Sequence, residues 1–204
     1  MAVTVNRQRG FSLIEMMIVV AIIMVVVGVT FMQIGPLLRE SSAQAALQTT
    51  LGMMRRAHET AVDQRQILRV TFTQPRTIQV DQIGFDVTTN KQTVAFLSKI
   101  DLPQDIQFTV VAGMPTSAAT VPDGFGSGAV AIDFDQDFGG GVNTVYFQRD
   151  GRALDNKNQI NSGVVYMCRP TDLISCKAVS LMGATGRSKG WRLTQTPLGT
   201  RWIQ

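Results

Sequence analysis

The chain has 204 residues, a formal net charge of +4 and 45 % hydrophobic residues, which fits one domain with an appendage and is too short for two full domains. One histidine and two cysteines leave no His/Cys cluster with metal spacing and no convincing Ser–His–Asp set, so no catalytic residue, no metal and no cofactor is expected. The positive charge sits at the two ends: Arg7 and Arg9 in residues 1–10, and Arg169, Lys177, Arg187, Lys189, Arg192 and Arg201 against Asp172 near the C-terminus, while residues 11–168 are acidic on balance.

The N-terminal stretch QRGFSLIEMMIVVAIIMVVVGVTF, Gln8 to Phe31, places a carboxylate just inside an apolar run. Glu15 is the only charge between Arg9 and Arg39, and Met16 to Leu38 is uncharged. As a helix that run is roughly 34 Å long at ~1.5 Å per residue, enough to cross the hydrocarbon core of a bilayer. A secretory signal would show a shorter apolar run followed by a small-residue cleavage site. Here the small residue, Gly10, precedes the run. A cut after Gly10 would remove the basic leader, keep the helix and create an α-amino group on Phe11. A lone acid in a membrane costs on the order of 2.5–3.5 kcal/mol and usually finds a partner. An amine one helical turn away from Glu15 is such a partner. Further along, Gly35-Pro36 predicts a bend or local melting near residues 32–36, because proline removes a backbone donor and crowds the preceding turn.

The segment RGFSLIEMMIVVAII resembles the prepilin signal of type IV pilins and type II secretion pseudopilins. The resemblance implies cleavage between Gly10 and Phe11 by an inner-membrane prepilin peptidase, and N-methylation of Phe11. It also implies that Glu15 registers the subunit by pairing with the Phe11 amine of a neighbouring chain. Many members of that family carry a helix-bending proline closer to the middle of the run, whereas the first proline here is Pro36.

From residue 39 the chain stays helix-compatible to about Gln66. Leu47, Leu51, Met54, His58 and Ala61/Val62 recur at three- and four-residue spacing and form one apolar stripe, with Arg55, Arg56, Glu59, Asp63 and Gln64 largely elsewhere. His58 reads as a packed or half-exposed member of that stripe rather than a catalyst. At Ile67 the period changes to two: Leu68, Val70 and Phe72 alternate with polar residues, Gln74-Pro75 turns, and Ile78 and Val80 continue the same face. Further strands are expected at 94–98, 106–112, 129–134, 143–148, 163–168, 177–181 and 190–194, separated by Gly/Pro/Asn/Asp clusters. The stretch 113–128 is the longest irregular one. A long helix followed by short consecutive strands predicts an α+β fold with an antiparallel sheet.

Asp133, Asp135 and Asp137 in DFDQDFGGG have calcium-loop spacing, but the sixth and twelfth positions hold Phe138 and Thr144 where that loop needs Gly and Glu. A solvated strand face is the simpler reading. Cys168 and Cys176 are close enough in sequence to suggest a small disulfide loop if the domain is exported, the alternative being two buried thiols. GATGRSKG lacks the Gly-Lys-Ser/Thr of a phosphate loop.

A second resemblance lies in VYFQRDGRALDNKNQINSGVVYMCR, which looks like the phenylalanine–turn–Gly-Arg hairpin of pseudopilin H and FimT-like minor pilins, with Asp150-Gly151 as the turn after Val145–Phe147. GATGRSKGWRL resembles the Gly-Arg-rich C-terminal end of the same family. Arg187, Lys189, Arg192 and Arg201, with Trp191 and Trp202 among them, are expected on a loop that Gly183, Gly186 and Gly190 leave mobile. Such a group is a solvated face, a contact for neighbouring subunits, or a DNA-binding surface using phosphate contacts and base stacking. FimT-like minor pilins of DNA-uptake pili resemble it through a Gly-Arg-x-Arg motif. Gly186-Arg187-Ser188-Lys189 has lysine in the second basic place, which keeps charge but loses the bidentate fork.

Together these readings predict a leader at 1–10, a hydrophobic membrane or filament-core helix at 11–38, an amphipathic continuation at 39–66 and a β-rich periplasmic domain at 67–204. The expected product is a single-pass inner-membrane subunit, not an enzyme. It would assemble with other pilins or pseudopilins into a type II secretion pseudopilus or a type IV pilus, with DNA as the alternative partner.

Overall fold

The computed structural model describes residues 12–86, 88, 90–117, 120–134, 143–197 and 199–204, and within its helix the side chains of 29 and 31–39 lie outside that set. Helix α1, Leu13–Asp63, is followed by β1 Ile67–Thr73, β2 Thr77–Asp86, β3 Lys91–Asp101, a 3-10 turn Pro122–Gly124, β4 Ile132–Phe134, β5 Thr144–Phe147, β6 Ala153–Leu154, β7 Gly163–Arg169, β8 Asp172–Met182, β9 Arg187–Thr196 and β10 Gly199–Ile203. Helix α1 spans Leu13–Asp63; the bend or local melting expected near residues 32–36 lies outside the described residues. The chain forms two compact units, Met1–Arg39 and Glu40–Gln204.

In the first unit the described side chains of α1 are exposed. Leu13 is 78 % exposed and Met24 70 %, and Ile14, Ile18, Ile22, Val25 and Val26 are exposed as well. Among the described residues no helix is long and apolar enough to cross a membrane. The described apolar run stops at Gly28, short of the roughly 20 residues that a span needs.

The second unit is an α+β fold in which α1 from Glu40 onward packs on two five-stranded antiparallel sheets, ordered β3-β2-β1-β5-β6 and β10-β9-β8-β7-β4. Ala43, Ala46, Leu47, Thr50, Leu51, Met54, Ala57 and Ala61 are buried at three- and four-residue intervals. This is the stripe that the spacing predicts, with Val62 at its exposed margin. These residues share one core with Leu68, Val70, Phe72, Ile78, Phe134, Val145, Phe147, Val165, Met167 and Val179, drawn from both sheets. Phe72 anchors it, stacked in a tilted arrangement on Phe134 at 5.4 Å and edge-on to Phe108 at 5.7 Å. The helix ends with Arg65 in the left-handed region at φ 52° and the Gln66 N–H donating back to the Ala61 carbonyl, which satisfies a terminal acceptor.

The hairpin expected from Ile67 is present, with β1 and β2 in register from Ile67↔Ile83 to Thr73↔Thr77 around a cis Gln74–Pro75 bond. β3 is the edge strand beyond it and is exposed along most of its length. A strand at 106–112 is not formed. Ile106 and Phe108 are buried as its alternation implies. The segment, however, is pinned by Gln107 to Cys168 through two backbone hydrogen bonds and by the Phe108 N–H to the Pro75 carbonyl, so it bridges two elements instead of extending either. Two short strands are missing from the sequence reading. β6 has only Ala153 and Leu154, too short to show a period, and β10 follows Pro197 at the end of the chain.

The stretch 113–128 is expected to be irregular, and it is, but it is not loose. It lies over the face of the second sheet that points away from α1, where Met114 joins Val164, Tyr166, Cys168, Cys176, Ala178, Leu193 and Trp202 in a second core. Asp123 fastens it: Oδ1 pairs with Lys189 Nζ at 2.6 Å, and Oδ2 accepts from Ser180 Oγ at 2.6 Å. Trp191 Nε1 donates to the same Ser180 Oγ at 2.9 Å. A disulfide joins Cys168 to Cys176 across the β7–β8 turn. Replacing both cysteines by alanine is expected to destabilise the domain by about 2–3 kcal/mol through the lost restriction of the unfolded chain, read as a lower midpoint in denaturant unfolding.

Candidate assembly site and C-terminal basic residues

Gly10 and Phe11, the residues of the expected cleavage and methylation, lie outside the described residues. Glu15 is described: it occupies the first turn of α1 and is exposed, among Leu13, Ile14, Met16 and Met17, which are exposed too. A carboxylate in the first turn faces the positive end of the helix dipole, a contribution of about 0.3–1 kcal/mol. Ser12 starts the helix, its carbonyl accepting from the Met16 N–H at 3.2 Å. The local arrangement is thus an acid at a helix start on an otherwise apolar rod. Such a rod stays in water at a large hydrophobic cost, so its surface calls for an apolar environment.

At the other end of the helix two glycine turns meet one histidine. Gly151, in the β5–β6 turn at φ 84°, and Gly186, in the β8–β9 turn at φ 64°, both approach His58. A Cβ on Gly151 would lie 3.0 Å from His58 Nε2, and one on Gly186 would lie 2.5 Å from His58 Cδ2 and collide with the Gly151 carbonyl oxygen. The His58 ring also meets Phe147 edge-on at 5.8 Å. The Asp150-Gly151 turn expected from the sequence is therefore present, and its glycine lets the hairpin close on α1. Gly190 does the same within β9, where a Cβ would lie 2.7 Å from Leu51 Cδ1. His58 is a half-buried packing residue, as its place on the stripe implies.

Arg187, Lys189 and Arg192 are on β9 and Arg201 is on β10, not on a mobile loop. The glycines expected to loosen this region instead bring strands close to the helix and to each other. Cross-strand register then sorts the four basic residues. Lys189 lies opposite Ser180, on the face that carries Asp123, and Arg187 shares that face by alternation. Arg192 lies opposite Lys177, whose Nζ pairs with Glu40 of α1 at 2.7 Å. Arg201 lies opposite Thr194, on the same helix-facing side as Arg192. The sheet thus divides the group into two pairs on opposite faces, and Lys189 is already engaged by Asp123. Trp202 is buried, and Trp191 is half-buried on the Asp123 face with Lys189 Nζ 5.9 Å from its ring.

Asp133 does not face solvent as a bare acid. Its Oδ2 accepts from the Ser127 N–H at 2.8 Å and from Ser127 Oγ at 2.9 Å. Asp135 and Asp137 lie outside the described residues. Among the described residues there is no cluster able to hold a metal ion. Burial, and then the nearby Asp133 carboxylate, push the Tyr166 hydroxyl above its ordinary range.

Near the entry of the chain into the domain, Arg169 pairs with Asp105 and lies 4.0 Å from Asp172. Burial pushes the Asp105 carboxyl up, but Arg169, its own backbone amide and Ser42 together hold it below the ordinary carboxylate range. The Asp123–Lys189 and Asp105–Arg169 pairs have no signature in the sequence, because their partners are more than sixty residues apart. The two glycine turns are legible as motifs, but nothing in them names His58 as what they pack on.

Residues 5–31 match the family model of the prokaryotic N-terminal methylation motif. No curated protein matches the chain. Among solved structures the chain is similar to the minor pseudopilin EpsH from the type 2 secretion system of Vibrio cholerae, with 12 % identity, coverage of 79 % of this chain and 96 % of that chain, and a TM-score of 0.33.

Two outcomes test this geometry. Gly186→Ala is expected to cost more than about 2 kcal/mol, since a left-handed backbone and an overpacked contact add. Circular dichroism melts of the variant beside the parent would read it. The lowered Asp105 value means that its stabilisation is present above the ordinary carboxylate pKa of about 3.9 and is lost as pH falls through the native value. Denaturant unfolding of the parent and of Arg169→Leu should therefore differ most at pH 5–7, and the difference should shrink as pH falls below about 3.9, through the lowered native value.

Proposed function

We propose that this chain, a type IV pilin-like protein by its N-terminal methylation signal and its α+β build, is a minor pilin or pseudopilin that works by assembly. It is made with a leader, cut after Gly10 and methylated on Phe11. Residues 11–38 anchor it as a single pass in the inner membrane, with the domain in the periplasm, until it enters a helical filament. The carrying observation is the exposed apolar face from Leu13 to Val27 with Glu15 in its first turn, inside the segment that matches the methylation motif. In the filament, Glu15 pairs with the Phe11 amine of a neighbouring subunit, and neighbouring helices cover the apolar face.

A type II secretion pseudopilus is favoured over a DNA-uptake pilus. The split of Arg187 and Lys189 from Arg192 and Arg201 by the sheet, and the engagement of Lys189 by Asp123, leave no continuous basic track with stacking aromatics among the described residues. Phosphate tracking and base stacking on one face are what single-strand binding needs.

The processing step has a direct test. Mass spectrometry of the mature protein from cells with an active prepilin peptidase should find a methylated Phe11 at the N-terminus, and a mature chain starting at Met1 would refute it. Leaving an amine unpaired in an apolar environment costs on the order of 2.5–3.5 kcal/mol, so Glu15→Val should keep processing yet lower filament incorporation by about a hundredfold. Sheared-filament immunoblots would measure that loss.

A further inference from the structure

Strand register sorts part of the C-terminal basic group onto one face of the second sheet. Lys177 on β8, Arg192 on β9 and Arg201 on β10 share one face of three adjacent strands, because Lys177 is opposite Arg192 and Arg201 is opposite Thr194. Diagonal neighbours on a sheet lie roughly 7–8 Å apart. Lys177 is buried and neutralised by Glu40. Arg192 and Arg201 are exposed, and among the described residues neither meets a carboxylate at ion-pair distance. No Asp or Glu occurs from Leu173 to Gln204, so local sequence supplies no counter-charge either.

This face is marked by Glu40, the first residue of the domain, which only Arg39 separates from the uncharged run ending at Leu38. We infer that Arg192 and Arg201 form a docking surface for anionic phospholipid headgroups, used while the subunit is stored in the membrane. The inference rests on the anchored reading above. Two guanidiniums can each fork onto a phosphate oxygen pair, and basic residues beside a membrane segment gain from an anionic surface. Nucleic acid fits this face less well: among the described residues it holds no exposed aromatic ring to stack a base, since Trp191 is on the opposite face and Trp202 is buried. Release into a filament would then require breaking these headgroup contacts, which makes storage dependent on lipid charge.

The test uses the full chain reconstituted in lipid nanodiscs of phosphatidylcholine, alone or mixed with phosphatidylglycerol. Phenylglyoxal modifies accessible guanidiniums, and peptide mass mapping reads each arginine separately. Labelling of Arg192 and Arg201 should fall by about fivefold in the anionic discs, while Arg187 on the opposite face stays unchanged as an internal reference. The protection should vanish near molar salt, where the Debye length is about 3 Å. Equal labelling in both discs, or an equal fall at Arg187, overturns the inference. So does protection of the same two arginines by a short DNA duplex added to phosphatidylcholine discs, which would assign the face to nucleic acid. A chain that enters neither disc overturns the anchored reading and this inference with it, whereas a chain that enters both but labels equally overturns this inference alone.

Discussion

The stripe from Ala43 to Ala61 on α1 is buried against both sheets at once, and the rest of the domain is arranged to permit that contact. A helix of about 10–12 Å diameter can lie across two sheets only where their backbones come close. Gly190 provides the approach within β9, and Gly151 and Gly186 provide it at the turns that meet His58. Thr50 extends the contact by donating to the Met167 sulfur of β7 at 3.0 Å. The two sheets are also joined directly, the Ala153 N–H donating to the Gly183 carbonyl, so each glycine turn serves the helix contact and the sheet–sheet seam together.

The second sheet is loaded on both faces. One face carries the helix, and the other carries the irregular stretch 113–128, held by Asp123 and the second core around Tyr166 and Trp202. This explains why β7 and β8 are buried nearly throughout, with Val164 to Cys168 and Cys176 to Leu181 lacking the in–out alternation of a half-exposed strand. It also explains Lys177, a buried ammonium that Glu40 neutralises at the margin of the helix contact. The first sheet meets the helix on one side only. Its other face keeps Arg69 and Asp81 paired at 2.7 Å, with Gln79 completing the carboxylate, and its edge strand β3 stays open.

The two halves of the helix divide the work by environment. Up to Gly28 its described apolar side chains are exposed. From Glu40 onward the same helix is amphipathic, and its apolar stripe is spent on the domain core.

The sequence by itself determined the features that are local in the chain. These are the apolar run with Glu15, the three- and four-residue stripe from Leu47 to Ala61, the hairpin at Ile67, the Asp150-Gly151 turn and the nearness of Cys168 to Cys176. Each follows from periodicity, turn chemistry or short separation, which neighbouring residues fix among themselves. Tertiary structure alone decided the features that join distant residues. It placed Arg187 and Lys189 on one face and Arg192 and Arg201 on the other, because β-strand alternation and register depend on which strands pair. It turned 106–112 from an apparent strand into a bridge, because Gln107 pairs with Cys168 while the Phe108 N–H donates to Pro75, so successive residues bond to different elements. It also converted the glycines of the C-terminal region from flexible spacers into close contacts, since a missing side chain gains its meaning only from what lies against it.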